Sequence, residues 1–353
     1  MITKLFILFK MFTFLLHRPS SETILVAELN TCHGELLHSW IKYLSECGIQ
    51  LEIIVNKEIF KELQPFDKSL KSVKIWPFFY AFHKWIFSPA NIRKYKKVIF
   101  NSEYIYSASQ SVFSLLDYLK PEQHKIIAVT HNMSDPLCCP AERIGLWDRH
   151  IKGFTPVKFQ YFDEITIQPE ENLVKQFVIV GGDNPTSRNI KLLYSALSAL
   201  QPEKLKQINI TLIGFAKPEL PEHLKGVFDL KGRCSYQELY KTLRSSYAML
   251  LLLDPENKDH LRYCNGVVSG NINLSFGFRC PAIIESEFAN CFDVTDKNGF
   301  VYKGNGELLQ AIERALEMKS SDYYAMRKAL DNDAKIKYEQ SLKNLKQLLK
   351  INE

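Results

Sequence analysis

A chain of 353 residues with 46% hydrophobic residues, 15 glycines and 15 prolines has room for two ordinary domains and is neither disordered nor collagen-like. Its net charge of +6 is mild for the length; it suits a membrane surface or an anionic small molecule, with no nucleic-acid partner expected. Cys32, Cys47, Cys138, Cys139, Cys234, Cys264, Cys280 and Cys291 form no CxxC pair and no zinc spacing, which predicts reduced thiols in a cytosolic protein and no metal site.

Residues 1–20, MITKLFILFKMFTFLLHRPS, are basic and apolar without an acid. Lys10 breaks a run already short of the roughly 20 residues a membrane span needs. No small-x-small cleavage site separates this segment from the first strand, so a short helix is expected, either packed on its domain or resting on the inner face of a membrane.

An N-terminal domain is expected over 21–168. Residues 23–28 (TILVAE) read as a buried strand, followed by a loop with His33 and Gly34, a helix over 36–47 and a strand over 49–55. This is the opening of a doubly wound sheet, whose ligands sit at the carboxyl ends of strands. The aromatic stretch 73–87 reads as core or as a docking surface. Strands are expected at 96–101 and 125–130, with a helix over 107–119 between them. The second of these strands ends at His131, where an imidazole suits proton transfer; a loop histidine bonded to backbone is the plainer alternative.

The pattern restarts near residue 169, and a second domain is expected over 169–320. A strand at 177–180 runs into the turn Gly181-Gly182-Asp183 and a helix from Ile190. The turn is not GxGxxG, which argues against a dinucleotide oxidoreductase. Arg188 and Lys191, three apart, are placed on one face of the first helical turn, where two cations suit a diphosphate. Strands follow at 208–213, 227–230 and 247–253, with a helix over 236–245. Ser269-Gly270 then opens a helix that Gly277 is expected to end or to pack closely, before a strand from Ala282. Free N–H groups and the positive dipole end at such a start seat a phosphate. The tail, 321–353, reads as charged helix, and its Asp331-Asn332-Asp333 as solvated rather than metal-binding.

Four stretches, in this order, carry a likeness: VIVGGDNPTSRNIKLLYSAL, INITLIG, LKGRCSYQELYKTLRSSYAMLLLLDPE, and SGNINLSFGFRCPAIIE followed by NGFVY. Together they resemble the donor-binding domain of GT-B glycosyltransferases of the retaining family-four type, known from bacterial lipopolysaccharide and polysaccharide biosynthesis. The N-terminal half is similar more loosely, through its first strand, HGELL and VTHN. The resemblance implies an α/β chain of two Rossmann-like doubly wound domains facing a cleft, with C-terminal helices. It implies a nucleotide-sugar donor as substrate, no cofactor and no metal. The acceptor implied is a glycan or glycolipid, met with peripheral contact at the inner membrane. Arg188 and Lys191, with Gly182, Ser269 and Gly270, would hold the donor diphosphate; Arg233 and Cys234 would frame the base; Gly34 and His33 would face the donor; His131 would approach the transferred sugar. One departure stands out. The family's E-x7-E glutamate position holds Leu274 here, which keeps open a catalytically silent binding protein or scaffold of the same shape.

Overall fold

The computed structural model describes residues 4–105, 110–111, 117–133, 142–147, 151–160, 165–168, 172–181, 187–214 and 218–351. The chain divides into two compact units. The first comprises Met1–Phe159, Ser235–Gln237 and Lys337–Glu353; the second comprises Gln160–Cys234 and Glu238–Ile336.

In the first unit the strands β1 (Ile24–Glu28), β2 (Leu51–Asn56), β3 (Lys74–Phe78), β4 (Lys97–Phe100), β7 (Ile126–Thr130), β8 (Glu142–Gly145) and β9 (Thr155–Pro156) form one sheet in the order β3-β2-β1-β4-β7-β8-β9. Every neighbouring pair in it is parallel. Parallel strands covered on both faces must be apolar throughout, and all five residues of β1 are buried. The chain order reverses between β1 and β4, so the connections that follow them leave toward opposite sides of the sheet, the arrangement that makes a crevice outside the carboxyl ends of such strands. Part of the aromatic stretch belongs to the core: Trp76, Phe78 and Phe87 are buried, and Trp76 Nε1 donates to Glu52 Oε2 at 3.1 Å, while Trp85 is exposed. The helix expected over 107–119 is not formed at its described positions. β5 (Tyr104–Ile105) and β6 (Gln110–Ser111) make a short antiparallel pair, and Asp117–Lys125 is a 3-10 helix. A short apolar run satisfies helix and strand periodicities alike, and here pairing with Tyr104–Ile105 decides.

Helix α1 (Lys4–Leu16) is part of this unit's core. Ile7, Met11 and Phe14, spaced i, i+4, i+7, are buried in one cluster with Trp76, Phe78, Phe87 and Tyr95. Phe14 stacks on Tyr95 at 6.5 Å and meets Trp76 edge-on at 5.7 Å. The C-terminal residues of the chain also belong here: Tyr338 stacks on Tyr43 at 4.8 Å, and Ser341 Oγ accepts from Lys158 N at 2.9 Å.

The second unit is built from β10 (Lys175–Val180), β11 (Ile208–Ile213), β12 (Phe228–Gly232), β13 (Ala248–Leu250), β14 (Ala282–Glu285) and β15 (Phe300–Tyr302), in the order β12-β11-β10-β13-β14-β15. It too is parallel throughout, with its reversal between β10 and β13. Tyr247 anchors its core, stacked on Tyr323 at 4.1 Å while Tyr323 Oη donates to the Tyr247 carbonyl at 2.6 Å.

Three expectations are corrected in this unit. The helix over Gly270–Phe278 does not end at Gly277; it ends at Arg279, whose φ of 52° is left-handed. The residue is held there because its guanidinium bonds Asp331 at 2.8 Å and the Gly277 carbonyl at 2.6 Å. The aspartates of 331–333 are therefore not simply solvated: Asp331 holds Arg279, and Asp333 accepts from Asn298 Nδ2 at 2.7 Å. The thiols are not all reduced either. Cys264 and Cys291, with Cα atoms 5.4 Å apart, form a disulfide, a pairing across 27 residues that spacing rules do not reveal. Cys138 and Cys139 lie outside the described residues.

Because Phe14 fills the first core, Phe14→Ala is expected to cost about 3–5 kcal/mol of stability. Urea unfolding checks this, and a loss below about 1 kcal/mol would mean that α1 is not part of the core.

Candidate functional site

The carboxyl edge of the first sheet gathers polar side chains at its reversal point. Glu28, the last residue of β1, is fully buried. Its Oε1 accepts from Asn30 N at 2.7 Å, and its Oε2 accepts from Asn101 Nδ2 at 2.8 Å and Ser102 Oγ at 3.1 Å. Burial raises its carboxyl above the ordinary range, against the pull of His33 and these hydrogen bonds. Asn101, just after β4, also donates to the His33 carbonyl at 3.1 Å and accepts from Trp40 Nε1 at 2.8 Å. The loop after β1 and the loop after β4 are thus locked to one carboxylate.

Two imidazoles stand at this edge with ring centroids 4.1 Å apart, His33 after β1 and His131 after β7. His33 has a left-handed φ of 68°, a conformation that costs a non-glycine residue roughly 1–2 kcal/mol. Gly34 follows it in the turn that starts the helix over Leu36–Glu46, its carbonyl accepting from Leu37 N at 3.2 Å. The two rings are pushed in opposite directions. Burial pulls the His33 ring down, but Cys32 and Glu35 outweigh it and set its pKa well above the usual value. Glu35 Oε1 lies 3.5 Å from His33 Nδ1. Burial, and then the charge on His33, push His131 down to about 3. His131 Nε2 lies 2.9 Å from the Asn101 carbonyl, which only accepts. The neutral ring therefore carries its proton on Nε2 and keeps a lone pair on Nδ1, able to accept from a hydroxyl.

The second sheet builds a cationic edge at its own reversal point. Arg188 is buried, and its guanidinium donates to the Val180 carbonyl that ends β10. Its Nε has no hydrogen-bond partner, and among the described residues no carboxylate lies within ion-pair distance. Burial lowers it to about 10, with the nearby Tyr263 phenol opposing. Gly181 is required beside it: its φ is 101°, and a Cβ there would lie 2.7 Å from a guanidinium nitrogen.

The same Val180 carbonyl accepts from Asn271 Nδ2 at 3.0 Å, which brings the helix over Gly270–Phe278 to this edge by its first turn. Ser269 is the N-cap of that helix, yet its side chain makes no capping bond. The first-turn N–H groups therefore present to a ligand the partial positive charge of the helix end. The Arg188 segment is fixed from the other side. Asn189 caps the helix over Ile190–Ala199 through Leu192 N and donates to Asp254 Oδ2 at 2.7 Å. Asp254, after β13, also accepts from Asn305 Nδ2 at 3.1 Å.

The sequence-predicted residues thus fall into groups. His33, Gly34 and His131 come together in the first unit; Arg188, Ser269 and Gly270 come together in the second. Arg188 and Lys191 do not share a helical face, since Arg188 precedes the Asn189 cap and turns inward while Lys191 is exposed. Arg233 and Cys234 follow β12, with β11 between that strand and β10. Gly182 lies outside the described residues. Sequence reasoning missed Glu28, Asn101, Ser102, Gly181, Asn189, Asp254 and Asn271. Most of these are polar residues that end a buried strand or flank a helix start, and that placement is the signal that marks them.

Two such sheets in one chain are the GT-B plan, and solved structures share it. WaaG, described as a glycosyltransferase involved in lipopolysaccharide biosynthesis, is 10% identical, with 92% of this chain and 98% of that one covered at a TM-score of 0.51. S. aureus MnaA, solved with UDP, is 12% identical, with 94% and 98% covered at 0.53. A DNA-modifying β-glucosyltransferase is 13% identical, with 93% and 99% covered at 0.51. The fold is therefore GT-B, with a parallel Rossmann-like sheet in each unit. No protein-family model and no curated protein matches the chain.

The paired imidazoles make stability pH-dependent on both sides. His131 has a folded pKa below its unfolded one, so its contribution is present above about pH 6.5 and is lost as pH falls toward its folded value. His33 has a raised folded pKa, so its contribution is present below about pH 6.5 and is lost as pH rises through that raised value. Urea unfolding at pH 5, 7 and 9 should show His131→Asn flattening the acid limb and His33→Asn the alkaline limb. Limbs parallel to those of the wild type in both variants would exclude these charge states.

Proposed function

We propose that the protein is a glycosyltransferase that moves a sugar from a nucleotide-sugar donor to a glycan or glycolipid acceptor. The reading places it in bacterial lipopolysaccharide or capsule biosynthesis, in peripheral contact with the cytoplasmic face of the inner membrane. One observation carries it: a buried guanidinium without a carboxylate among the described residues, next to an open helix N-terminus, on a GT-B scaffold. An unpaired buried cation is costly by itself and is relieved when an anion binds. The neighbours' descriptions support the choice of anion and reaction, since they include UDP, a glucosyl transfer and lipopolysaccharide assembly.

In this reading Arg188 and the N–H groups after Ser269 bind the donor diphosphate and stabilise the charge that grows on it as the sugar leaves. The reading includes retention of configuration and no metal at this step. Lys191 adds a mobile cation, and Arg233 and Cys234 frame the base. His131, neutral with Nδ1 unprotonated, accepts from a hydroxyl of the transferred sugar, while His33 sets the local field. A silent binding protein of the same shape is the second reading, because Leu274 stands where the family's glutamate is expected. Donor binding without hydrolysis or transfer supports that second reading.

Arg188→Met tests the first reading. Sugar transfer should fall by about two decades or more, as for the loss of one preorganised contact to developing charge. The melting temperature should hold or rise, since a desolvated, unpaired charge has been removed. Transfer within about twofold of wild type would overturn the role. UDP, GDP, CMP and ADP are compared by thermal shift, where a nucleotide that binds the folded state raises the melting temperature.

A further inference from the structure

Helix α1 is apolar on two opposite faces, and only one of them is used. Ile7, Met11 and Phe14 point into the core. Leu5, Leu8, Phe9, Phe12 and Leu16 recur at i, i+3, i+4, i+7 and i+11, which is one stripe of a helix. They are 76%, 43%, 65%, 62% and 66% exposed. A contiguous row of large apolar side chains left in water marks an interaction surface rather than ordinary scatter.

The charges around this stripe select its occupant. Residues 1–20 hold Lys4, Lys10 and Arg18 and no acid. Lys10 lies over the Phe6 and Trp76 rings at 5.7 and 5.9 Å. Lys94 donates to the Leu15 carbonyl at 2.8 Å, and its ammonium is pushed down by burial and by the charge of Arg18 nearby. Among the described residues none of these four cations has a carboxylate partner within ion-pair distance. A second copy set stripe to stripe would bring Lys4, Lys10 and Arg18 of both helices together with no acid in residues 1–20 to meet them. At 13 residues the helix is about 20 Å long, too short to cross a bilayer of about 30 Å and of the right kind to lie within its interface.

We infer that α1 docks on an anionic lipid surface. The Leu5–Leu16 stripe enters the boundary between headgroups and acyl chains, and Lys4 and Arg18 meet the lipid phosphates. The inference deepens the proposed reading by naming the surface where a lipid-borne acceptor is met, and the binding itself does not depend on donor chemistry. The membrane-facing element is also a core element, so it is not a tail that truncation removes cleanly.

Flotation of the full chain with liposomes tests this, using phosphatidylcholine vesicles and vesicles containing one-third phosphatidylglycerol. The wild type should float with the anionic vesicles and only weakly with the neutral ones. Leu8→Gln/Phe9→Gln/Phe12→Gln should lower the bound fraction roughly tenfold or more. This variant keeps Ile7, Met11 and Phe14, so its melting temperature and nucleotide-induced shifts should match those of the wild type. Lys4→Gln/Arg18→Gln should weaken anionic binding alone, by roughly fivefold per charge. Equal flotation of the triple variant and the wild type overturns the inference. So does a wild type that floats with neither vesicle, whether it is a monomer or a dimer built on this face. A triple variant that stays off vesicles but still shifts with a nucleotide separates the docking from the donor chemistry.

Discussion

The polar edge of the first unit's sheet depends on one buried carboxylate. Glu28 ends a strand with no water around it, and a group of that kind must be surrounded by donors or destabilise the fold. The donors come from two loops, Asn30 N from one and Asn101 and Ser102 from the other. Satisfying the acid therefore fixes both loops. Asn101 passes the constraint on, because its amide holds the His33 backbone while its backbone carbonyl takes the His131 ring proton. The imidazole pair is thus placed at one remove, from a carboxylate at the end of β1. The strained φ of His33 is held by bonds around it rather than by its own preference.

The second unit solves the opposite problem. Its buried ion is a cation, and among the described residues what meets it is a single backbone carbonyl shared with Asn271. Where Glu28 is satisfied, Arg188 is left short. The deficit falls at a strand end, beside open helix N–H groups, an arrangement that favours negative charge. Asn189 and Asp254 maintain this arrangement, since they tie the Arg188 segment down and prevent it from swinging out to water.

Much of this was legible in the sequence. The buried strands read correctly because parallel strands covered on both faces are continuous apolar runs, as in ILVAE, INITLI and AIIE. His33 and His131 were reachable because each lies close behind such a run, and Arg188 and the Ser269 helix start because each lies at the beginning of a helix. The network among them was not, because hydrogen bonds such as that from Asn101 to Glu28 join residues 73 positions apart and no local spacing records them. Arg188 was misplaced on a helix face because it precedes the Asn189 cap and so lies outside the helix that begins at Ile190. The left-handed Arg279 was missed for a related reason: a distant partner, Asp331, overrides the preference for glycine at that position.

The Cys264–Cys291 bridge bears on how the protein behaves once it is isolated. Its loop encloses the whole Gly270–Phe278 helix and β14, and Cys264 is adjacent to Tyr263, the phenol that acts on Arg188. In a thiol-rich compartment the bridge opens to two neighbouring thiols. Molecules exposed to air and molecules kept in such a compartment then differ by two hydrogen atoms, and the segment next to Tyr263 carries the covalent tether in one population and lacks it in the other. A preparation whose oxidation state is not controlled is a mixture of two forms of this edge, one bridged and one open.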